Sequence, residues 1–426
     1  LTAGAAGMYC GSCLRDNTLV AALRAAGRDA LLVPLFTPIR TDEADVSEPC
    51  VLYGAINVYL QHKYALFRRL PRWADRLFDS PWLLRHVAKI SGSESPEDFG
   101  SLTIATLQGE HGPQRKEVRR VITWLRHHRP DLVNLPNAMF VHLARPIKDA
   151  LGIPVICTLT GEDIFIDLLP SPQRERVIEL IREQAAFVDG FVATSRYYAE
   201  HCHAWLDIPA DRMQVIYPGV KADDTPKDAT PKPSSSASAD NPFVVGFMAR
   251  VCPAKGLHLL YKAVQRLRNG GRNVVLVAAG NLNAGDRPYL DEMRLSPSPG
   301  FIYRGEINRA GKQALLQDSH VLSVPTVHRE AKGLFVLEAL AQGVPVVQPR
   351  HGAFPELIAA TGGGLLIEPN DPEALADGIA RLIDQPDLRE HLGRQGRAAV
   401  LQSFTDRTMA EQTWALYQRY CGNKHA

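Results

Sequence analysis

The chain has 426 residues, too long for one ordinary hydrophobic core, and two domains of roughly 150 to 200 residues each are expected. With 45% hydrophobic and 22% charged residues the composition is globular, and a formal net charge of +2 gives no general drive toward nucleic acid. No run reaches about 18 consecutive apolar residues, so no transmembrane helix is expected, and no basic stretch leading into an apolar run marks a signal peptide.

Leu1 stands almost directly in a glycine-rich loop, and one expectation is a first strand lost or trimmed ahead of it. From there short β-branched runs alternate with helical periodicity, the texture of βαβ units and parallel sheets. Strands are expected at 30–36, 132–135, 155–159, 190–194 and 213–217, with helices between them, among them 12–26, 114–128 and 174–186. Gly27 is placed to end the first helix.

Residues 62–90 hold seven Lys or Arg against two Asp, with Trp73 and Trp82 interleaved. Two readings stand for them. One is an interfacial segment meeting an anionic membrane or a lipid-linked acceptor. The other, preferred, is a helical cover whose basic residues are solvated.

Residues 222–242 are rich in Pro, Ser and Asp and lack large apolar side chains, which predicts a linker or surface excursion. The βα alternation then restarts, with strands at 243–249, 274–279, 301–304, 321–324, 344–347 and 365–367 and helices at 257–268, 334–341 and 372–384. A last amphipathic helix covers 404–420. The expected domains are thus 1–221 and 243–403, with the helix 404–421 packing back on the first. Ligands of such sheets bind beyond the carboxyl ends of the strands, and the cleft between domains is the default site.

Five of the seven cysteines are isolated in sequence, which reads as a reduced, cytosolic protein. Cys10-Gly-Ser-Cys13 opens a helical pattern, where a redox pair is conceivable, but a small-residue loop with two thiols is preferred. Metal binding there would need further ligands, and none are evident in the sequence.

The chemistry concentrates at two strand-to-helix junctions. Between Pro325 and Val347 a polar loop containing Glu330 leads to Gly333, where a helix opens and presents its N–H groups and dipole to an anion. Glycine lets a phosphate or sugar come close to the backbone there. Glu330 and Glu338 bracket the turn, and a carboxylate can accept from vicinal hydroxyls. At the other junction a strand delivers Arg250 and the next helix opens just after Lys255, two cations suited to a diphosphate. Taken singly, each could be an ordinary surface charge.

Together, Arg250, Lys255, Glu330 and Glu338 resemble in order and spacing the Arg, Lys and E-x7-E element of family-4 retaining glycosyltransferases of the GT-B fold. The Gly333-Leu334 pair, the Glu-Ala-Leu-Ala run from Glu338, the Gly343-Val-Pro-Val-Val tail and the run from Gly363 to Leu375 extend the resemblance over about 243–420. In the first half, Gly7-Met-Tyr-Cys-Gly11-Ser12 resembles the family's acceptor-side loop, and Val215 to Val220 its hinge.

The resemblance implies a GT-B architecture, two Rossmann-like doubly wound domains facing each other across a cleft. It also implies a metal-independent retaining hexosyltransferase with a nucleoside-diphosphate sugar as co-substrate, no cofactor, and a sugar, glycan or lipid-linked acceptor. Arg250 and Lys255 would hold the diphosphate, Glu338 the ribose, and Glu330 the donor sugar with help from Gly333 and Leu334. Gly305 would lie under the base.

One departure is visible. Many members carry a His in the loop after the strand 155–159, where this chain reads Thr160-Gly-Glu162-Asp163. Thr160, Asp163, Gly11 and Ser12 are the acceptor-side candidates; Asp163 or Glu162 would take an acceptor-facing role there, and both are equally readable as caps.

A cytoplasmic enzyme, peripheral to a membrane if 62–90 touches one and without a nucleic-acid partner, is the resulting expectation. A nucleotide-sugar binding protein that does not transfer, or a GT-B-type epimerase, is the alternative. A Rossmann oxidoreductase is set aside because no GxGxxG follows a strand.

Overall fold

The computed structural model describes residues 1–4, 9–68, 96–221, 242–295 and 300–422. The readings that fall on Gly7 and Met8, on 69–90 and on 222–241 lie outside those residues. The chain forms two compact units, Leu1–Tyr217 with Met409–Ala426, and Pro218–Thr408.

Among its described residues the first unit holds four parallel strands in sequential order: β1 (Val133–Leu135), β2 (Val155–Leu159), β3 (Gly190–Ala193) and β4 (Met213–Val215). All five residues of β2 are buried, which explains its unbroken apolar run in place of alternation. The opening helix Gly11–Ala25 ends in a Schellman turn. Gly27 takes φ 72°, its N–H donates to Arg24 O at 3.0 Å, and the Arg28 N–H donates to Leu23 O at 3.0 Å. Met409, Ala410 and Leu416 of the last helix, Asp406–Gly422, join Leu19, Leu23, Ile156, Val192 and Ile216 in one core cluster.

The segment 30–36 does not form the expected strand. Among the described residues it makes only single bridges, Thr2 with Pro34 and Leu32 with Ser47. Thr2 and Ala3 bond one edge and Glu48, Leu52 and Tyr53 the other, while Pro34 has no N–H to give, so no continuous ladder builds. The apolar burial is kept nonetheless, with Leu32, Val33 and Leu35 at most 2% exposed.

The described residues of the second unit form a six-stranded parallel sheet in the order β10-β9-β8-β5-β6-β7. Its strands are β5 (Phe243–Met248), β6 (Val274–Ala279), β7 (Phe301–Tyr303), β8 (Val321–Leu322), β9 (Val346–Pro349) and β10 (Gly364–Ile367). The first strand in sequence lies in the middle of the sheet, with later strands on both sides. The order therefore reverses between β5 and β8, which makes the carboxyl ends of those two strands a topological switch point. β8 stops at Leu322 because the Val324 N–H goes to the side chain of Gln348 at 3.3 Å instead of to a neighbouring strand. The last helix starts at Asp406, two residues later than expected, since the backbone of Phe404 and Asp406 is bonded to Val220.

Candidate functional site

The two loops at the switch point are fastened to each other. After β5 the chain passes Arg250 and makes a short 3-10 turn, Pro253–Lys255, before the helix Leu257–Asn269. Gly256 joins turn to helix at φ 74°, and a Cβ built there would lie 1.8 Å from Pro325 O. Only glycine allows this close approach of the two backbones. Ala254 O then accepts from the Val327 N–H at 2.9 Å and from His328 Nδ1 at 3.0 Å.

This stapling brings Lys255 Nζ to 2.7 Å from Glu330 Oε2. His328 Nε2 stands 3.5 Å from the same oxygen. Glu330 Oε1 receives the N–H groups of Lys332 at 3.3 Å and Gly333 at 3.5 Å. Burial opposes ionisation of Glu330, but the Lys255 charge and the His328 contact outweigh it and hold the carboxyl well below the usual range. His328 was not among the sequence candidates. Its place two residues before Glu330 becomes meaningful only once Ala254 is seen to anchor its ring.

Gly333 then caps the helix Leu334–Ala341 at φ 64° without any side-chain cap. Among the described residues, no group accepts from the N–H of Leu334 or Phe335. That leaves two donors at the positive end of the helix, beside a lysine. The Glu330 backbone is braced from behind by Gly352, at φ 59°, where a Cβ would meet both Glu330 N and O at 2.6 Å.

The other donor-side candidates belong to the same unit. Arg250 is exposed at the end of β5, and its side chain has no partner among the described residues. Gly305 follows β7 at φ 73° with open space where a side chain would project, and its carbonyl accepts from Gly280 N at 2.9 Å. Glu338 is drawn away from Glu330 into a pair of its own, with Lys312 Nζ 2.7 Å from its Oε1.

In the first unit the loop after β2 is organised by Glu162. Its buried carboxylate accepts from Thr160 N at 2.7 Å and, across the loops, from Ala138 N at 2.8 Å. It therefore ties the end of β2 to the end of β1 rather than capping the short helix Asp163–Ile166, which has no side-chain cap. Burial pushes the Glu162 carboxyl up, with the backbone donors working against that shift. Tyr198 OH lies 2.9 Å from Asp163 Oδ1 and 3.2 Å from Glu162 Oε2, so one phenol serves both carboxylates. His201 Nε2 stands 3.7 Å from Asp163 Oδ2.

Thr160 and Asp163 are thereby held in one loop, while Gly11 and Ser12 open the first helix, exposed and half-buried respectively. His142, also unforeseen, is 2% exposed among Phe140 and Tyr53, and among the described residues only the backbone of Met139 offers its ring a polar contact.

A cavity of about 890 Å³ in the first unit is lined by Leu19, Leu32, Val133 and Trp414 with Arg15 and Asp16, and by none of the candidate site residues. Among the described residues, no group of three or more His, Cys, Asp or Glu is placed to hold a metal ion, and no helix is long and apolar enough to cross a membrane.

Two parallel α/β units, one with converging loops at its switch point, define a two-domain GT-B fold, and solved structures share it. Sucrose-phosphate synthase from Thermosynechococcus elongatus aligns over 94% of this chain and 91% of its own at TM-score 0.66 and 17% identity. Anabaena HepE in complex with UDP aligns over 73% and 84% at TM-score 0.62 and 21% identity.

Residues 228–399 match the family Glycosyl transferases group 1, and residues 101–224 match Glycosyltransferase Family 4. The chain belongs to these group 1, family 4 glycosyltransferases. D-inositol 3-phosphate glycosyltransferase of Saccharomonospora viridis is 30% identical over 64% of this chain and 66% of its own length. An uncharacterized glycosyltransferase of Methanocaldococcus jannaschii is 25% identical over 53% and 59%. The chain thus spans about three fifths to two thirds of the length of these two relatives.

Proposed function

We propose that this glycosyltransferase takes a hexose-type sugar from a nucleoside-diphosphate sugar held by the second unit and passes it, with retention, to an acceptor hydroxyl on the side of the first. The observation that carries this reading is Glu330. It is a buried carboxylate kept ionised by Lys255 at the mouth of a helix with two unused N–H donors.

In this reading Arg250, Lys255 and the N–H groups of Leu334 and Phe335 stabilise the negative charge that builds on the departing diphosphate, without a divalent cation. Glu330 accepts from hydroxyls of the donor sugar, Glu338 from the ribose, and the base lies over Gly305. The departing phosphate takes the acceptor's proton on the face where the new bond forms. Asp163, held by Tyr198, and Thr160 face the acceptor together with Gly11 and Ser12. UDP and UDP-glucose in structures of Anabaena HepE support a nucleotide-sugar donor, and the capsular polysaccharide enzyme of Staphylococcus aureus among the relatives supports a glycan acceptor.

The test is a donor panel of UDP-, GDP- and ADP-sugars with EDTA present, following nucleoside diphosphate release by the wild type, Glu330→Gln and Lys255→Ala. Release from one donor, indifferent to EDTA and lost in both variants, is the expected result. Binding without release under every acceptor tried favours the non-transferring reading. Calorimetry that finds no donor bound removes the donor-site assignment.

A further inference from the structure

Lys312 stands in the first turn of the helix Arg309–Asp318, whose entry is fixed by Asn308 accepting from Gly311 N at 2.9 Å. Its ammonium reaches Glu338, 26 positions on, at 2.7 Å. Each side chain is only 18% exposed, so the pair is far better shielded than an ordinary surface ion pair. Glu338 itself sits on a helix anchored by the buried Phe335, Val336, Leu337 and Leu340, which restricts where its carboxylate can go. Oε1 is committed to the lysine, and Oε2 has no partner among the described residues. A half-shielded carboxylate close to a bound diphosphate would be repelled by it. A cation fixed on one oxygen cancels that repulsion and leaves the other oxygen as an oriented acceptor.

We propose that Lys312 is a positioning residue for the nucleoside end of the donor. By engaging Oε1 of Glu338 it keeps the carboxylate charge-balanced and directs Oε2 to a ribose hydroxyl. This rests on the donor-site reading above, and the two can fail separately.

The experiment is calorimetry of the full chain with UDP, GDP and ADP, followed by the 2′-deoxy form of whichever binds, on wild type, Lys312→Met and Lys312→Arg. Wild type is expected to prefer the ribonucleotide by on the order of tenfold or more, the scale of one hydrogen bond to a charged group. Lys312→Met is expected to bring that ratio close to one, and Lys312→Arg to retain it. Lys312→Gln, which keeps a donor without the charge, supplies the same ratio should the methionine variant not fold.

A folded Lys312→Met or Lys312→Gln protein with an undiminished ribose preference overturns the inference, as does a wild type that binds both forms equally. If wild type binds none of the three diphosphates, the donor reading falls first and takes the inference with it.

Discussion

Lys255 and Glu330, 75 positions apart, form a 2.7 Å ion pair whose side chains are 19% and 8% exposed, and among the described residues no other cation lies as close to Glu330. Removing one partner of such a pair strands a shielded charge, which costs on the order of 3 kcal/mol, whereas removing both does not. Glu330→Gln and Lys255→Met are therefore each expected to destabilise the chain on that scale. The double variant should lose at least about 1 kcal/mol less than the sum of the two. Urea denaturation of the four proteins gives the cycle, and strict additivity contradicts the pairing.

The pair also carries a pH signature. Because the Glu330 carboxyl is depressed in the fold, its contribution is complete above the unfolded value of about 4.3 and is lost as pH falls through the lower folded value.

Gly352 bears on the site through backbone alone. It has φ 59°, and an added Cβ would meet Glu330 N and O at 2.6 Å, atoms that cannot swing away as a flexible side chain could. Gly352→Ala is expected to displace Glu330 and weaken binding of the nucleotide-sugar by about tenfold or more, the loss of one hydrogen bond to a charged group. Gly27→Ala is the control. Gly27 has φ 72° with nothing within 4 Å, so alanine should cost only about 1–2 kcal/mol of left-handed strain and leave donor binding intact. Equal donor affinity in the two variants would contradict the bracing role.

How far the sequence can be read follows from how local each feature is. The strand Val274–Ala279 and the helices Leu334–Ala341 and Pro372–Asp384 were legible to the residue, because a buried parallel strand is one apolar run and each helix carries its own start signal. The segment 30–36 looked equally apolar, but a strand needs partners, and partner supply is not written in the segment itself. The order of Arg250, Lys255, Glu330 and Glu338 was visible as spacing. The pairing of Glu338 with Lys312 and the tie from Glu162 to Ala138 arise between residues 26 and 24 positions apart, and became visible only in the folded chain. For the same reason Glu162 reads in the sequence equally as acceptor-facing or as a cap, and not as a tie between two strand ends.

Glu162 uses both oxygens as acceptors: Oε1 for Ala138 N, and Oε2 for Thr160 N and Tyr198 OH. Glutamine is nearly isosteric but must turn an NH₂ group toward one of these donors, leaving a buried N–H unsatisfied at a cost of about 1–3 kcal/mol. Glu162→Gln is thus expected to lower stability by that amount and to slow transfer to acceptor, with nucleotide binding by the second unit unchanged. Thermal unfolding, turnover and calorimetry on one preparation separate the three. Unchanged transfer together with a lowered melting temperature would restrict Glu162 to folding.

His142 supplies the remaining prediction, and its sign follows from burial. The ring is 2% exposed, and desolvation, opposed in part by the backbone of Met139, takes its pKa from the ordinary 6.5 down to about 4. The folded protein therefore holds His142 neutral through a pH range in which the unfolded chain protonates it. Its contribution is fully present above about pH 6.5 and is lost progressively as pH falls toward 4, roughly 3 kcal/mol in all. His142→Phe should fill the aromatic niche beside Tyr53 and Phe140 and flatten the stability profile between those two pH values. Urea midpoints of both proteins at pH 7, 5.5 and 4.5 are the measurement. Near pH 7 the two should differ little. By pH 4.5 the phenylalanine protein should be the more stable, and parallel profiles would mean that His142 is either protonated in the fold or hydrated where the side chains leave it bare.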